Sequence, residues 1–189
     1  MLEQFRIPED SAIRVPHLAL LENTKDLFEA VGVPGEDAAI ASDTLIRADL
    51  RGVDSHGVSN MFPIYIDQCK NGIINPKPDI RISRETPSTA NMDSDHGLGV
   101  VATPKAMNMA ITKAKNVGIG MVTIFNGRHL GMASYHAMMA LEHDMIGVCI
   151  TSAGPRVVPT FGALPRMGTN PIAVAAPTKS EPPFVFDAA

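Results

Sequence analysis

Ala48-Asp-Leu-Arg-Gly-Val-Asp-Ser-His-Gly-Val58 joins two helical patterns at a break and gathers a cation, a hydroxyl and an imidazole in one turn. Upstream, Ala38, Ile40, Ala41, Leu45, Ala48 and Leu50 recur close to helical spacing over Asp37 to Arg51, and Gly52 is a natural stop. Downstream, Asp54 or Ser55 can cap a second helix running through Val58, Phe62, Ile64 and Ile66. His56 is then expected in that helix's first turn, beside unpaired N–H groups that favour anions and disfavour imidazolium. A neutral imidazole there serves as a base or, once protonated, as a strong acid, and Arg51 is suited to hold a carboxylate. Ser-His-Gly is also an ordinary cap and turn, so the rest of the chain has to decide.

The 189 residues, 45% of them hydrophobic, are enough to bury a real core, and a mean hydropathy near zero describes a soluble globule. A net charge of −4 without runs of Lys or Arg argues against nucleic acid and against a polybasic membrane surface. The acidic start, Met1 to Asp10, has no apolar core of signal-peptide type, and no stretch approaches the ~20 apolar residues of a membrane span, so a cytoplasmic location is expected. Cys69 and Cys149 stand apart without a metal-ligand spacing and read as buried, reduced thiols. His136 and His143 are too far apart along a helix for the usual zinc pair, and His17 and His96 have no nearby partners, so no metal centre is expected.

Outward from the opening stretch, Val15 to Val31 reads as a helix closed by Gly32 and Pro34. Residues 1–78 therefore form a helical unit that ends at Asn75-Pro-Lys-Pro78, and residues 79–189 change texture. Asp79 to Ser83 alternates like a half-exposed strand, with Thr89 to Met92 as its partner. A helix follows from Thr103 as N-cap, with Pro104 as its first residue and Gly118 past its end. Then come a buried strand at Ile119 to Phe125, a helix at Met132 to His143, and a buried strand at Ile146 to Ser152. After a Pro/Gly-rich loop, Ile172 to Ala176 and Phe184 to Phe186 complete an α/β pattern. The chain stops directly after that last strand, at Asp187-Ala-Ala189, and is expected to be truncated at its C-terminus.

Three loops can carry chemistry besides the opening turn. Gly97-Leu-Gly99-Val-Val-Ala102 fits a dinucleotide fingerprint, but the strand before it is short and polar, and no acidic residue follows at the distance a ribose needs. Phe125-Asn-Gly-Arg-His-Leu-Gly-Met132 lies between a strand and a helix, where α/β proteins present ligands, and offers His129 as a second imidazole. Gly168-Thr-Asn-Pro171 turns into a strand with hydroxyl, amide and backbone donors suited to phosphate, carboxylate or carboxamide.

Arg51-Gly-Val-Asp-Ser-His-Gly-Val58, Asn126-Gly-Arg-His-Leu-Gly131, Gly168-Thr-Asn-Pro171 and Val185-Phe-Asp187, in this order, resemble the type-2 malate/L-lactate dehydrogenase family, from Val15 onward. That family includes ureidoglycolate, sulfolactate and diketogulonate oxidoreductases. The resemblance implies an oxidoreductase that transfers a hydride between NAD or NADP and a small 2-hydroxy or 2-oxo acid. It further implies a non-Rossmann mixed-sheet cofactor domain beside a helical unit, usually in a homodimer. By the same resemblance His56 or His129 is the acid/base, Arg51 and Ser55 line the substrate site, and Thr169, Asn170 and Phe184, Val185, Phe186, Asp187, Ala188 and Ala189 contact the cofactor. Two features depart from the pattern: members are longer, their second half completing the cofactor site, and Ala153 stands where they often carry a polar residue. The alternative is a truncated, non-catalytic dimerisation or ligand-binding module of the same fold.

Overall fold

A computed structural model of the chain describes residues 13–188. The first ten residues and Ala189, each the subject of an expectation above, lie outside the described residues.

Helix α1 spans His17–Ala30, α2 Gly35–Leu50 and α3 Val58–Lys70. Gly32, at a positive φ of 95°, ends α1, and the Val33 N–H reaches back to Phe28 O, which satisfies a carbonyl the helix end leaves free. In α2 the buried residues Ala38, Ala41, Leu45 and Ala48 repeat at three- and four-residue steps, which makes one face of the helix core. The buried residues of α3 are Tyr65 and Cys69, whereas Ile64, expected on the apolar face, is 46% exposed. The core stripe runs through 58, 62, 65 and 69, and the edge of Phe62 meets Phe28 at 4.9 Å between ring centres.

Strand β1 (Arg81–Glu85) pairs antiparallel with β2 (Thr89–Asp93), and β2 pairs parallel with β3 (Met121–Phe125) across the long helix α4 (Gly99–Val117). Helix α4 begins four residues before the expected cap, so Pro104 lies inside it. A proline there removes the N–H that would have bonded Val100 O, and the Thr44 hydroxyl of α2 lies 3.3 Å from that carbonyl while also facing Ile40 O at 2.9 Å. Leu98, Val100 and Val101 thereby enter the same core cluster as Phe28, Leu45, Tyr65 and Ile74, and packing runs across residue 78.

Helix α5 covers Ala133–Met138 and tightens into a 3-10 turn at Met139–His143 that Asp144 ends in the left-handed region, at φ 56°. The single helix expected over Met132 to His143 is therefore shorter and changes pitch. Strands β4 (Gly147–Ile150), β5 (Ile172–Ala176) and β6 (Phe184–Ala188) form a second, wholly antiparallel sheet. Small residues on one face of it, Ala173 and Ala175, let α5 sit close through Ala133 and Ala137. Strands β3 and β4 were expected to be buried. Instead they alternate, with Met121, Phe125, Val148 and Ile150 exposed, because each lies at the end of its three-stranded sheet and turns one face to an open crevice. The architecture is mixed α/β, as expected. Among the described residues no helix is long and apolar enough to cross a membrane.

Candidate active site

The end of α2 and the start of α3 are held together by one carboxylate. Asp49 Oδ2 accepts the Val58 N–H at 2.9 Å, so an acid from the preceding helix does the capping expected of Asp54 or Ser55. A Cβ on Gly57 would stand 1.6 Å from Asp49 Oδ1, so only glycine lets this carboxylate reach the helix. Burial raises the Asp49 pKa, the Val58 N–H opposes that, and the neighbouring Asp54 adds to it.

Between the two helices the chain makes a 3-10 turn over Asp54–His56, so His56 precedes α3 instead of standing in its first turn. The neutral form is still favoured, but by a different cause: burial lowers the His56 pKa, with Asp187 pulling the other way. Ser55 Oγ lies 2.9 Å from His56 Nδ1. Arg51, the residue that closes α2, is exposed on the rim of the crevice and has no ion-pair partner among the described residues.

His129 comes from the loop between β3 and α5. Asn126, at φ 53°, starts that loop and donates its side-chain amide to Asp93 Oδ1 at 3.0 Å, and Gly131, at φ 79°, ends it. The His129 ring stacks on that of His56, with centres 5.5 Å apart and planes 20° from parallel. Its Nδ1 lies 2.7 Å from the Tyr65 hydroxyl and 3.3 Å from the Gly131 N–H. Burial, and then the nearness of His56, lowers its pKa to about 4.

Both imidazoles open onto a crevice of about 1960 Å³ between the two sheets. Arg51, Ser55, His56, His129, Thr169, Val185, Asp187 and Ala188 all line it, so residues from four separate stretches of sequence meet there. Asp187 Oδ2 accepts the Ser134 N–H at 2.8 Å, which anchors the end of β6 to the start of α5. Three of the residues expected to contact the cofactor are not among those that line this crevice. Asn170, at φ 48°, turns its amide oxygen to the Ala153 N–H at 3.1 Å, and Phe184 and Phe186 are exposed outside the crevice lining.

Sequence reasoning missed Tyr65, Asp49 and His136. The spacing of Val58, Phe62 and Tyr65 was the signal for the first. His136, weighed only as a metal ligand and set aside, is wholly buried, with Nε2 2.7 Å from Leu130 O and Nδ1 without a partner among the described residues. The glycines of the dinucleotide-like stretch do lie between β2 and α4, yet protein already fills the space they leave. A Cβ on Gly97 would meet the Pro78 ring at 2.6 Å, and one on Gly99 would meet Arg128 O at 2.1 Å. Gly99 serves close packing of α4 on the His129 loop and Gly97 close packing on Pro78, and the sheet beside them is mixed rather than doubly wound. Among the described residues no group of three or more His, Cys, Asp or Glu is arranged to hold a metal ion.

The chain is 47% identical over 181 residues to a malate dehydrogenase of Pyrococcus horikoshii, covering 96% of this chain and 50% of that protein. It is 50% identical over 150 residues to an L-sulfolactate dehydrogenase of Methanocaldococcus jannaschii, covering 79% of this chain and 43% of the other. The solved structure of Pyrococcus horikoshii OT3 malate dehydrogenase superposes with a TM-score of 0.92 at 46% identity, over 97% of this chain and 52% of that one. The chain thus spans about half the length of the relatives it matches. A sequence model of malate/L-lactate dehydrogenases matches residues 15–189, and with the superposition on a solved malate dehydrogenase in agreement, the chain belongs to that family of oxidoreductases.

Proposed function

We propose that this chain carries the acid–base centre and the carboxylate clamp of an NAD- or NADP-dependent oxidoreductase acting on a small 2-hydroxy or 2-oxo acid. The observation that carries the reading is the stacked pair of His56 and His129 with Arg51 on the rim of the same crevice. The site residues of this reading are His56 and His129 for the proton, Arg51 and Ser55 for the substrate, and Thr169, Val185, Asp187 and Ala188 for the cofactor. Residues 79–189 would then supply the first part of the cofactor domain and residues 1–78 the helical unit, in a cytoplasmic homodimer.

A nicotinamide dinucleotide fits the residues present. The crevice is larger than the ~300–1,000 Å³ of an ordinary small-molecule site, has apolar walls from β3 and β4 for a ring, and offers Thr151, Ser152 and Thr169 hydroxyls for polar groups. When bound, that cofactor supplies or accepts the hydride. The chain's own residues do the rest. Arg51 holds the carboxylate of the acid and so fixes which carbon faces the centre. The histidines exchange a proton with the oxygen at that carbon. Burial favours the neutral form of both rings in the free protein, and an anion bound at Arg51 favours protonation of a ring that faces it.

The test is oxidation of NADH and of NADPH by the intact protein with a panel of 2-oxo acids. Turnover is expected, with His56→Ala or His129→Ala costing ~10²-fold or more and Arg51→Gln acting mainly on KM for the acid. Near-normal rates in both histidine variants refute the assignment. Nicotinamide binding without reaction would instead support the alternative reading, a ligand-binding module of the same fold.

A further inference from the structure

Tyr65 has no role in any reading of the reaction given so far, yet its hydroxyl is aimed at one of the two histidines. The side chain is wholly buried in the helical core, and its oxygen lies 2.7 Å from His129 Nδ1. The Gly131 N–H points at the same nitrogen from 3.3 Å. A backbone N–H can only donate, so that nitrogen must accept. A nitrogen that accepts carries no proton, and the phenol hydrogen is then also directed at it. Two donors converge on Nδ1, and the ring proton is left on Nε2.

We infer that Tyr65 is a positioning residue that, with the Gly131 N–H, locks His129 as the Nε2–H tautomer, so that His129 presents a hydrogen-bond donor to the substrate oxygen. This assignment rests on the proposed reading of the crevice as an acid–base site. It also divides the labour between the stacked rings. His129 Nδ1 is engaged on both sides by fixed donors, whereas His56 Nδ1 faces a Ser55 hydroxyl, which can turn to donate or accept. His56 is therefore free to change protonation state while His129 stays neutral and oriented. Burial raises the Tyr65 pKa well above that of an ordinary phenol, which keeps the hydroxyl protonated and donating. Of the charged and titratable groups around the pair, His56 faces His129 from the turn before α3, and Asp187 faces His56 from β6.

The experiment is nitrogen NMR of the full chain with labelled histidine, the His129 signals being identified among the six histidines by their loss in His129→Ala. In the native protein Nδ1 of His129 is expected to resonate as an unprotonated nitrogen and Nε2 as a protonated one. In Tyr65→Phe, which keeps the ring and its packing, the two tautomers should mix and the His129 titration midpoint should rise by roughly one pH unit. Unchanged far-ultraviolet dichroism and a cooperative urea transition would establish that the variant folds. A native spectrum with the proton on Nδ1, or a Tyr65→Phe variant whose tautomer and midpoint match the native protein, overturns the inference. The spectra need no turnover, so an inactive protein with the Nε2–H signature would sink the proposed reaction and leave the role of Tyr65 standing.

Discussion

Acid should weaken this fold through His136, a residue outside the reaction. Its ring is wholly buried, Nε2 faces Leu130 O at 2.7 Å, and Nδ1 has no partner among the described residues. Burial lowers its pKa from 6.5 to about 4, against the opposing pull of the Leu130 carbonyl and then Asp187. Between those two values the unfolded chain binds a proton that the folded chain refuses. The contribution is therefore fully present above pH 6.5 and is lost as pH falls towards 4. The gap of about 2.5 units, at about 1.4 kcal/mol per unit, comes to about 3.5 kcal/mol, of which about 3 kcal/mol falls between pH 6.5 and 4. A domain of ordinary stability has about 5–15 kcal/mol in all, so one imidazole would remove a large share of it. The assay is urea unfolding at stepped pH, followed by far-ultraviolet dichroism, for the native protein and His136→Gln. Glutamine can still donate to Leu130 O but does not titrate. His56 and His129 contribute in the same direction in both proteins, so the difference between the two isolates His136. That difference should shift by about 3 kcal/mol against the native protein from pH 6.5 to 4. A difference that stays flat across this range refutes the reasoning.

Gly57→Ala should push the Asp49 carboxylate off the Val58 N–H, since the new Cβ would stand 1.6 Å from Oδ1. Loss of that cap should cost about 1–2 kcal/mol in urea unfolding, and stability equal to the native protein would show that the carboxylate is not needed. Lys113 is 7% exposed, with its ammonium 2.7 Å from both Glu85 Oε1 and Thr86 O. Lys113→Ala should lower stability by about 1–3 kcal/mol, through lost packing and a Thr86 carbonyl left without its donor; a melting temperature unchanged from the native protein would count against this.

Much of this molecule was legible in the sequence because its signals are local. The Gly32-Val-Pro34 stop and the Ile172 to Ala176 strand needed only a left-handed glycine and an apolar run. His56 and His129 were legible as candidates, because each lies in a turn beside a helix or strand end. What could not be read was which groups face each other across long separations. Asp49 capping the next helix, Thr44 reaching Val100 O and Tyr65 meeting His129 arise from how α2, α3 and the β3–α5 loop pack. The start of α4 was misjudged for a related reason. Pro104 looked like a first-turn residue, but a carbonyl left free by proline can be satisfied by a hydroxyl from another helix. The buried character assigned to β3 and β4 failed because apolar runs report what a strand can bury, not what covers it.

Those two strands also govern how this chain behaves in a tube. Each ends its sheet with one row of backbone donors and acceptors unpaired among the described residues, beside exposed Met121, Phe125, Val148 and Ile150. Such an edge is a template on which another molecule's strand can build. What holds copies apart is mutual repulsion from a net charge of only −4, and at 0.15 M salt that repulsion is screened beyond about 8 Å. Association of copies through these edges is therefore expected to increase as salt is raised, and light scattering at stepped ionic strength would read it.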